Sequence, residues 1–228
     1  MCGFGDQWIK DNRPEADAEA PTSASKNGLI VFVKNPELGK VKTRLAATIG
    51  DEAALKAYHR MLRHTREIVR QIPAHRFLFY SAFIDAEDDW SPADFDKGLQ
   101  VPGDLGKKIS EAFQKAFAAG MERVLIVGSD CLDLRIHHLQ AAFAALQHHD
   151  FVVGPAEDGG YYLLGMRKFT TTLFRDKAWS TDQVLPATLA DIAGLGSTVE
   201  LLETLSDVDY EADWRRSLAR LKKEKSST

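Results

Sequence analysis

The chain has 228 residues, of which 44% are hydrophobic and 27% charged, enough to bury the core of one α/β domain. A net charge of -4 argues against a nucleic-acid binder, which would carry a basic face, and two cysteines give no disulfide framework. No run is long and apolar enough for a membrane span and the N-terminus lacks an apolar signal core, so a cytoplasmic protein is expected.

Residues 1–27 are rich in Asp, Glu, Ala, Pro and Ser without apolar period, and read as a loosely ordered tail on which Trp8 and Ile9 could still dock. From Gly28 onward, through residue 228, one domain is expected. Apolar runs predict strands at Leu29–Val33, Phe77–Tyr80, Val124–Val127, Phe151–Val153, Tyr161–Leu164 and Val199–Leu202. Helical periodicity predicts helices over Asp51–Ile72, Gly106–Ala119, Ile136–Leu146, Asp182–Ile192 and Glu211–Leu221. Such alternation implies a mostly parallel central sheet with helices on both faces.

The first predicted strand empties into Pro36-Glu37-Leu38-Gly39-Lys40-Val41-Lys42-Thr43-Arg44. Ligands of open α/β sheets bind beyond the carboxyl ends of strands. Lys40, Lys42 and Arg44 there form a grip for a polyphosphate, and Gly39 lets the backbone approach it. A basic surface turn entering a helix accounts for the same residues without a ligand. The Gly-x4-Gly-Lys-Ser/Thr spacing is absent, which disfavours a P-loop kinase.

The strand at Val124–Val127 delivers Ser129 and Asp130 at its carboxyl end, with Asp133 three residues on. A carboxylate beside a phosphate grip suits Mg²⁺ or Mn²⁺, which take a few protein oxygens plus substrate phosphates. Ser129 is assigned to the phosphate side; a helix cap is the alternative for either residue. Glu157-Asp158-Gly159-Gly160 lies between two predicted strands. It is either a hairpin turn or a site where an acceptor lies on bare glycine backbone with Asp158 taking its proton. Trp179-Ser180-Thr181 opens a predicted helix, where Ser180 and Gln183 match a capping box and free N–H groups suit an anion. Asp209 caps the last helix or makes a second metal contact. Cys131 reads as a packed thiol, His137, His138, His148 and His149 as surface residues, and Asp85–Asp89 as a solvated loop.

Taken in order, PELGKVKTRL, GDLGKK, GSDCLDL, GPAEDGGYYLLGM, WST and DVDYEAD resemble the glycosyltransferase-like family with the nucleotide-diphospho-sugar transferase (GT-A) fold. Some of its members are named arsenosugar-biosynthesis or radical-SAM-associated glycosyltransferases. The likeness runs from about Leu29 to Leu218. It departs from the pattern at Leu38, Lys107 and Leu132, and Asp130-Cys-Leu-Asp133 is not a plain Asp-x-Asp. The resemblance implies that Lys40, Lys42 and Arg44 hold a nucleotide diphosphate, that Asp130 and Asp209 hold the metal, and that Asp158, with Glu157 beside it, acts as base. It further implies that Gly103 and Asp104 shape the pocket; Gly159, Gly160, Trp179, Ser180 and Thr181, from the residue reading above, are assigned to the substrate side. The expected partners are a nucleotide sugar or a nucleoside triphosphate and a small acceptor. The expected activity is metal-dependent glycosyl transfer from a nucleoside-diphosphate sugar, with nucleotidyl transfer releasing pyrophosphate and nucleotide binding without turnover as alternatives, because a shared fold does not fix function. An edge strand and apolar helix faces would permit a homodimer.

Overall fold

A computed structural model describes residues 26–226. Nearly all of the expected N-terminal tail, with Trp8 and Ile9, therefore lies outside the described residues; Asn27 belongs to the first strand. The strands are β1 (Asn27–Val33), β2 (His75–Tyr80), β3 (Asp96–Leu99), β4 (Arg123–Val127), β5 (Phe151–Pro155), β6 (Tyr161–Met166) and β7 (Val199–Leu201). The helices are α1 (Thr43–Ile49), α2 (Asp51–Val69), α3 (Leu105–Ala118), α4 (Ile136–Ala145), α5 (Val184–Gly194) and α6 (Glu211–Ser226).

The strands form one sheet in the order β3-β2-β1-β4-β6-β5-β7. Every neighbouring pair is parallel except β4–β6 and β6–β5. The expected mostly parallel sheet is thus observed, with β6 as its single reversed strand. Reversal of β6 puts the β5–β6 turn at the same sheet edge as the carboxyl ends of β1 and β4. Chain order also switches at β1–β4, where β1 leads away to β2 on one side. Open α/β sheets bind ligands at such a crevice.

Two apolar layers cover the sheet. Leu29, Val31, Leu78, Leu125 and Val152 face α2 and α4, through Tyr58, Met61, Leu139 and Ala142. Ile30, Phe77, Val124, Ile126 and Leu164 face α3, through Ile109, Phe113 and Ala116. Consecutive residues of one strand enter opposite layers, as the period of two requires, and both layers are apolar because both faces are covered.

Asp104 fixes the start of α3: its Oδ1 accepts from the Lys107 N–H at 2.8 Å. Asp104→Ala is expected to cost about 1 kcal/mol, seen as a melting temperature lower by about 2–4 °C. An unchanged melting curve would show that the cap contributes nothing.

Four local expectations change. The Ser180–Gln183 capping box does not form, since α5 begins two residues later and Ser180 takes a left-handed φ of 65°. The last helix draws its cap from within, as Asp213 Oδ2 accepts from the N–H groups of Asp209 and Tyr210 at 3.3 and 2.9 Å. His138 is buried rather than at the surface, and Asp88 in the acidic loop bonds Lys97 Nζ and the Tyr80 hydroxyl.

Candidate active site

β1 runs straight into the cationic loop, which folds by two left-handed turns, Gly39 at φ 72° and Lys42 at φ 47°. Glycine adopts this region freely; lysine does so only when its surroundings hold it there. Val41 and Leu45, both buried, anchor the loop and α1 into the core. Lys42 and Arg44 are thereby raised over the ends of β1 and β4.

The Lys42 side chain is only 6% exposed and ends between two carboxylates. Its Nζ lies 2.8 Å from Asp130 Oδ2 and 3.2 Å from Asp209 Oδ1. Arg44 Nη1 reaches the other oxygen of Asp209 at 3.1 Å and is largely exposed. Burial works against the Lys42 ammonium, but Asp130 and Asp209 outweigh it and hold its pKa above the ordinary lysine value.

Backbone hydrogen bonds explain how residues so far apart in sequence meet. After β7 the chain passes beside the β5–β6 turn: Leu205 N–H donates to the Pro155 carbonyl and Glu157 N–H to the Leu205 carbonyl, each at 3.0 Å. Val208 N–H then donates to the Asp130 carbonyl at 3.0 Å. In this extended stretch Val208 turns into the core while Asp207 and Asp209 both line the cleft. Alternation of this kind is what an Asp-x-Asp in extended backbone dictates.

Asp207 is the group that motif reading passed over. Burial, and then the Asp130 charge, push its carboxyl up to about 7, against the opposing pull of Lys42. Tyr58, on α2, is the second addition. Its hydroxyl accepts from Lys34 N–H at 2.9 Å, donates to the Lys34 carbonyl at 3.1 Å and lies 3.2 Å from Ser129 Oγ. It ties the ends of β1 and β4 together from below. Its signal was an aromatic with a polar tip on the buried face of an amphipathic helix.

The cleft above these residues has a volume of about 510 Å³. Of the expected site residues, Lys40, Lys42, Arg44, Asp130, Asp158, Gly160, Trp179, Ser180, Thr181 and Asp209 line it. Gly39, Ser129, Gly103, Asp104 and Gly159 do not; they shape the loops behind it. Ser129 is buried against Tyr58, so its hydroxyl serves the scaffold in this structure. Asp158 sits in a tight hairpin, Oδ1 accepting from Gly160 N–H at 2.9 Å, so the turn and the site coincide. Glu157 faces an adjoining space of about 380 Å³, where Arg216 Nη2 lies 3.2 Å from its carboxylate. Lys40 is exposed and pairs with Glu37 at 2.6 Å.

Two other chemistries are absent from this centre. Cys131 is a packed thiol whose Sγ donates to the Ser206 carbonyl, and burial pushes its pKa far above the thiolate range. Asp133 is buried and ion-paired with Arg220. Away from the cleft, His137, His138 and Glu203 bring candidate ligand atoms within 4.8 Å of one another. However, Arg135 N–H donates to His138 Nδ1 at 2.9 Å, which leaves the neutral ring's proton on Nε2, the atom a metal would need.

The main cleft does suit a divalent cation. Asp130 and Asp209 offer hard carboxylate oxygens that already converge on one cationic nitrogen, and both remain partly open to the cleft, at 41% and 34% exposed. Carboxylates completed by substrate phosphates are the donor set Mg²⁺ and Mn²⁺ prefer.

Comparison with solved structures places this architecture in the nucleotide-diphospho-sugar transferase fold. A Desulfovibrio desulfuricans G20 protein named for the nucleotide-diphospho-sugar transferases aligns at 30% identity and a TM-score of 0.77, over 89% of this chain and 96% of its own. Residues 64–181 match the family described as "Uncharacterized protein conserved in bacteria (DUF2064)", and the chain belongs to that family. The fold alone is shared with a CMP:2-keto-3-deoxy-manno-octonic acid synthetase complexed with CTP (10% identity, 87% and 99% coverage, TM-score 0.56). It is also shared with Rv0371C of Mycobacterium tuberculosis H37Rv in complex with manganese (13% identity, 86% and 100% coverage, TM-score 0.50). No curated protein matches the chain by sequence. Among the described residues, no helix is long and apolar enough to cross a membrane.

Proposed function

We propose that the protein is a cytoplasmic, divalent-metal-assisted transferase that moves a sugar from a nucleoside-diphosphate donor to the hydroxyl of a small acceptor. The convergence of Asp130 and Asp209 on Lys42, within a cleft that also holds Arg44 and Asp158, carries this reading. The likeness to the Desulfovibrio protein named for such transferases supports it, and the manganese complex of Rv0371C supports the choice of ion.

In the reaction, the bond between the sugar carbon and the diphosphate oxygen breaks as the acceptor oxygen bonds to that carbon. Asp158 takes the acceptor's proton. Lys42 and Arg44 neutralise charge growing on the departing diphosphate. Asp130 and Asp209 would hold a Mg²⁺ or Mn²⁺ ion, which supplies further Lewis-acid charge there when bound. Tyr58 keeps the two loops in register, and Trp179, with Ser180 and Thr181, closes the acceptor side. Glu157, neutralised by Arg216, tunes the charge around Asp158 rather than exchanging protons.

Three cations in one loop would also suit a triphosphate tail, which keeps nucleotidyl transfer as the second reading. Incubation with Mg²⁺ or Mn²⁺ and panels of nucleotide sugars and nucleoside triphosphates separates the two by phosphorus product. Release of a nucleoside diphosphate is expected; pyrophosphate instead selects the second reading. Absence of any metal-dependent product or stabilisation would reject both.

A further inference from the structure

We propose that Lys42 is the built-in occupant of the divalent-cation position, so that metal and nucleotide bind as a coupled pair and not independently. This rests on the reading of the cleft as a metal-and-phosphate site.

The Lys42 ammonium is within hydrogen-bond range of one oxygen from each of the two carboxylates expected to hold the ion. A divalent cation bound to the same oxygens would lie within a few ångströms of the ammonium. At about 4 Å, in a partly buried site, the repulsion between two such cations is several times thermal energy. The ion can therefore settle only when the ammonium withdraws. A buried ammonium withdraws only toward another anion, because leaving it unpaired costs more than the move gains.

The diphosphate of the nucleotide is that anion. Two of the three N–H donors of Lys42 are engaged by Asp130 and Asp209, and the third has no protein acceptor among the described residues. Its backbone need not move: Lys42 holds the left-handed turn, and its carbonyl accepts from Ala46 N–H at 2.8 Å to start α1. Rotation about the side-chain bonds suffices. Of the two carboxylates Arg44 reaches only Asp209, and it is mostly exposed with its guanidinium over the Tyr210 ring; Lys40 touches neither. Of the loop's three cations, only Lys42 bridges both.

The consequence is reciprocal. A diphosphate that draws Lys42 away tightens metal binding, and metal on Asp130 and Asp209 frees Lys42 for the phosphate by the same factor. Without nucleotide, the ammonium keeps the two acids paired and excludes the metal.

The test is Mn²⁺ binding, followed through the free-ion EPR signal, with no turnover involved. Wild type, Lys42→Met, Lys42→Gln and Lys40→Met are titrated alone and with ADP, GDP, CDP or UDP, after correction for binary metal–nucleotide complexes. Lys40→Met removes the same charge without touching the acids, and controls for long-range electrostatics. Without nucleotide, Lys42→Met is expected to bind Mn²⁺ about 10-fold more tightly than wild type, and Lys40→Met within about twofold of it. At least one nucleotide should tighten the wild type by about the same factor and leave Lys42→Met nearly unchanged. If Lys42→Met does not fold, as judged by its melting curve, Lys42→Gln carries the comparison. Equal Mn²⁺ affinity in wild type and both Lys42 variants overturns the proposal, as does wild-type affinity indifferent to every nucleotide. Those results leave the transferase reading standing if metal-dependent turnover is found. Failure of every form to bind Mn²⁺, with or without nucleotide, overturns the metal reading together with this one.

Discussion

Asp130→Asn is expected to lower kcat about 10³-fold while the protein keeps its fold. The substitution preserves shape but removes one of the two charges that meet at Lys42. Each tenfold in rate corresponds to about 1.4 kcal/mol of barrier, so the expected loss asks roughly 4 kcal/mol of this one carboxylate. That is reasonable for a group acting on charge that develops in a partly enclosed cleft. Stability should change little, because Asp130 is 41% exposed and Lys42 retains Asp209 as a partner. The measurement is phosphorus-product release at saturating metal, beside a thermal melt. A loss smaller than tenfold would remove Asp130 from the chemistry. Nucleotide binding that survives intact, in a protein without turnover in any form, would favour an accessory role.

The largest effect on stability should come from Gly165→Val. Gly165 lies in β6 between Leu125 of β4 and Val152 of β5 in register. A Cβ there would stand 2.4 Å from Leu125 Cδ2 and 2.6 Å from Val152 Cγ1, with Leu146 Cδ1 of the segment after α4 at 3.3 Å. All three neighbours are packed in the interior and have no room to retreat. Overpacking of this kind costs roughly 3 kcal/mol or more, equivalent to a melting temperature lower by about 6–12 °C in a domain of this size. Gly128→Ala is the matched control, since a Cβ at that position meets nothing within 4 Å. A Gly165→Val protein that melts like wild type would mean that the β4–β6–β5 packing is looser than described.

The parts of the fold that sequence predicted well are those under two-sided burial. β1, β4, β5 and β6 read as apolar runs because both faces of the sheet are covered, and their observed ends extend the predicted ones by a residue or two at most at either side. β3 escaped notice because Asp96-Lys97-Gly98-Leu99 pairs only at the sheet's edge, where no apolar run is required. Gly98 packs there against the Phe79 ring, a contact that no propensity signals. α1 was hidden inside the cationic loop, being two turns long with Leu45 as its only fully buried residue. Ser180 matched a capping box by spacing alone, while the bond between Gly159 carbonyl and Leu185 N–H at 2.9 Å fixed where α5 begins.

Candidate site residues were legible to the extent that strand ends announce them. Lys42, Asp130 and Asp158 each follow a predicted strand, and the fold brings their loops to one edge. Asp207 was missed because the Asp-x-Asp before the last helix reads through its second acid alone, as a cap or a metal contact; the first acid is turned to the cleft by the ladder of bonds from Leu205 to Val208, which exists only in the folded chain. His138 reads as a surface residue because no cysteine or carboxylate framework stands beside it at ligand spacing, yet its Nδ1 is consumed by the start of its own helix.

The contact between Lys42 and Asp209 spans 167 residues of chain. During synthesis the Lys42 loop leaves the ribosome first of the three, and Asp130 follows once the chain has passed β4. Asp209 and the segment that pins it to the Asp130 carbonyl come after both. A nascent chain stopped before that point would carry Lys42 with one of its two acid partners, and on the proposed reading would bind an anion without committing it to reaction. Closure of so long a loop is also slow compared with the local helices. On the proposed reading, any truncation that removes Asp209 and the helix after it should abolish transfer, whatever remains of the sheet.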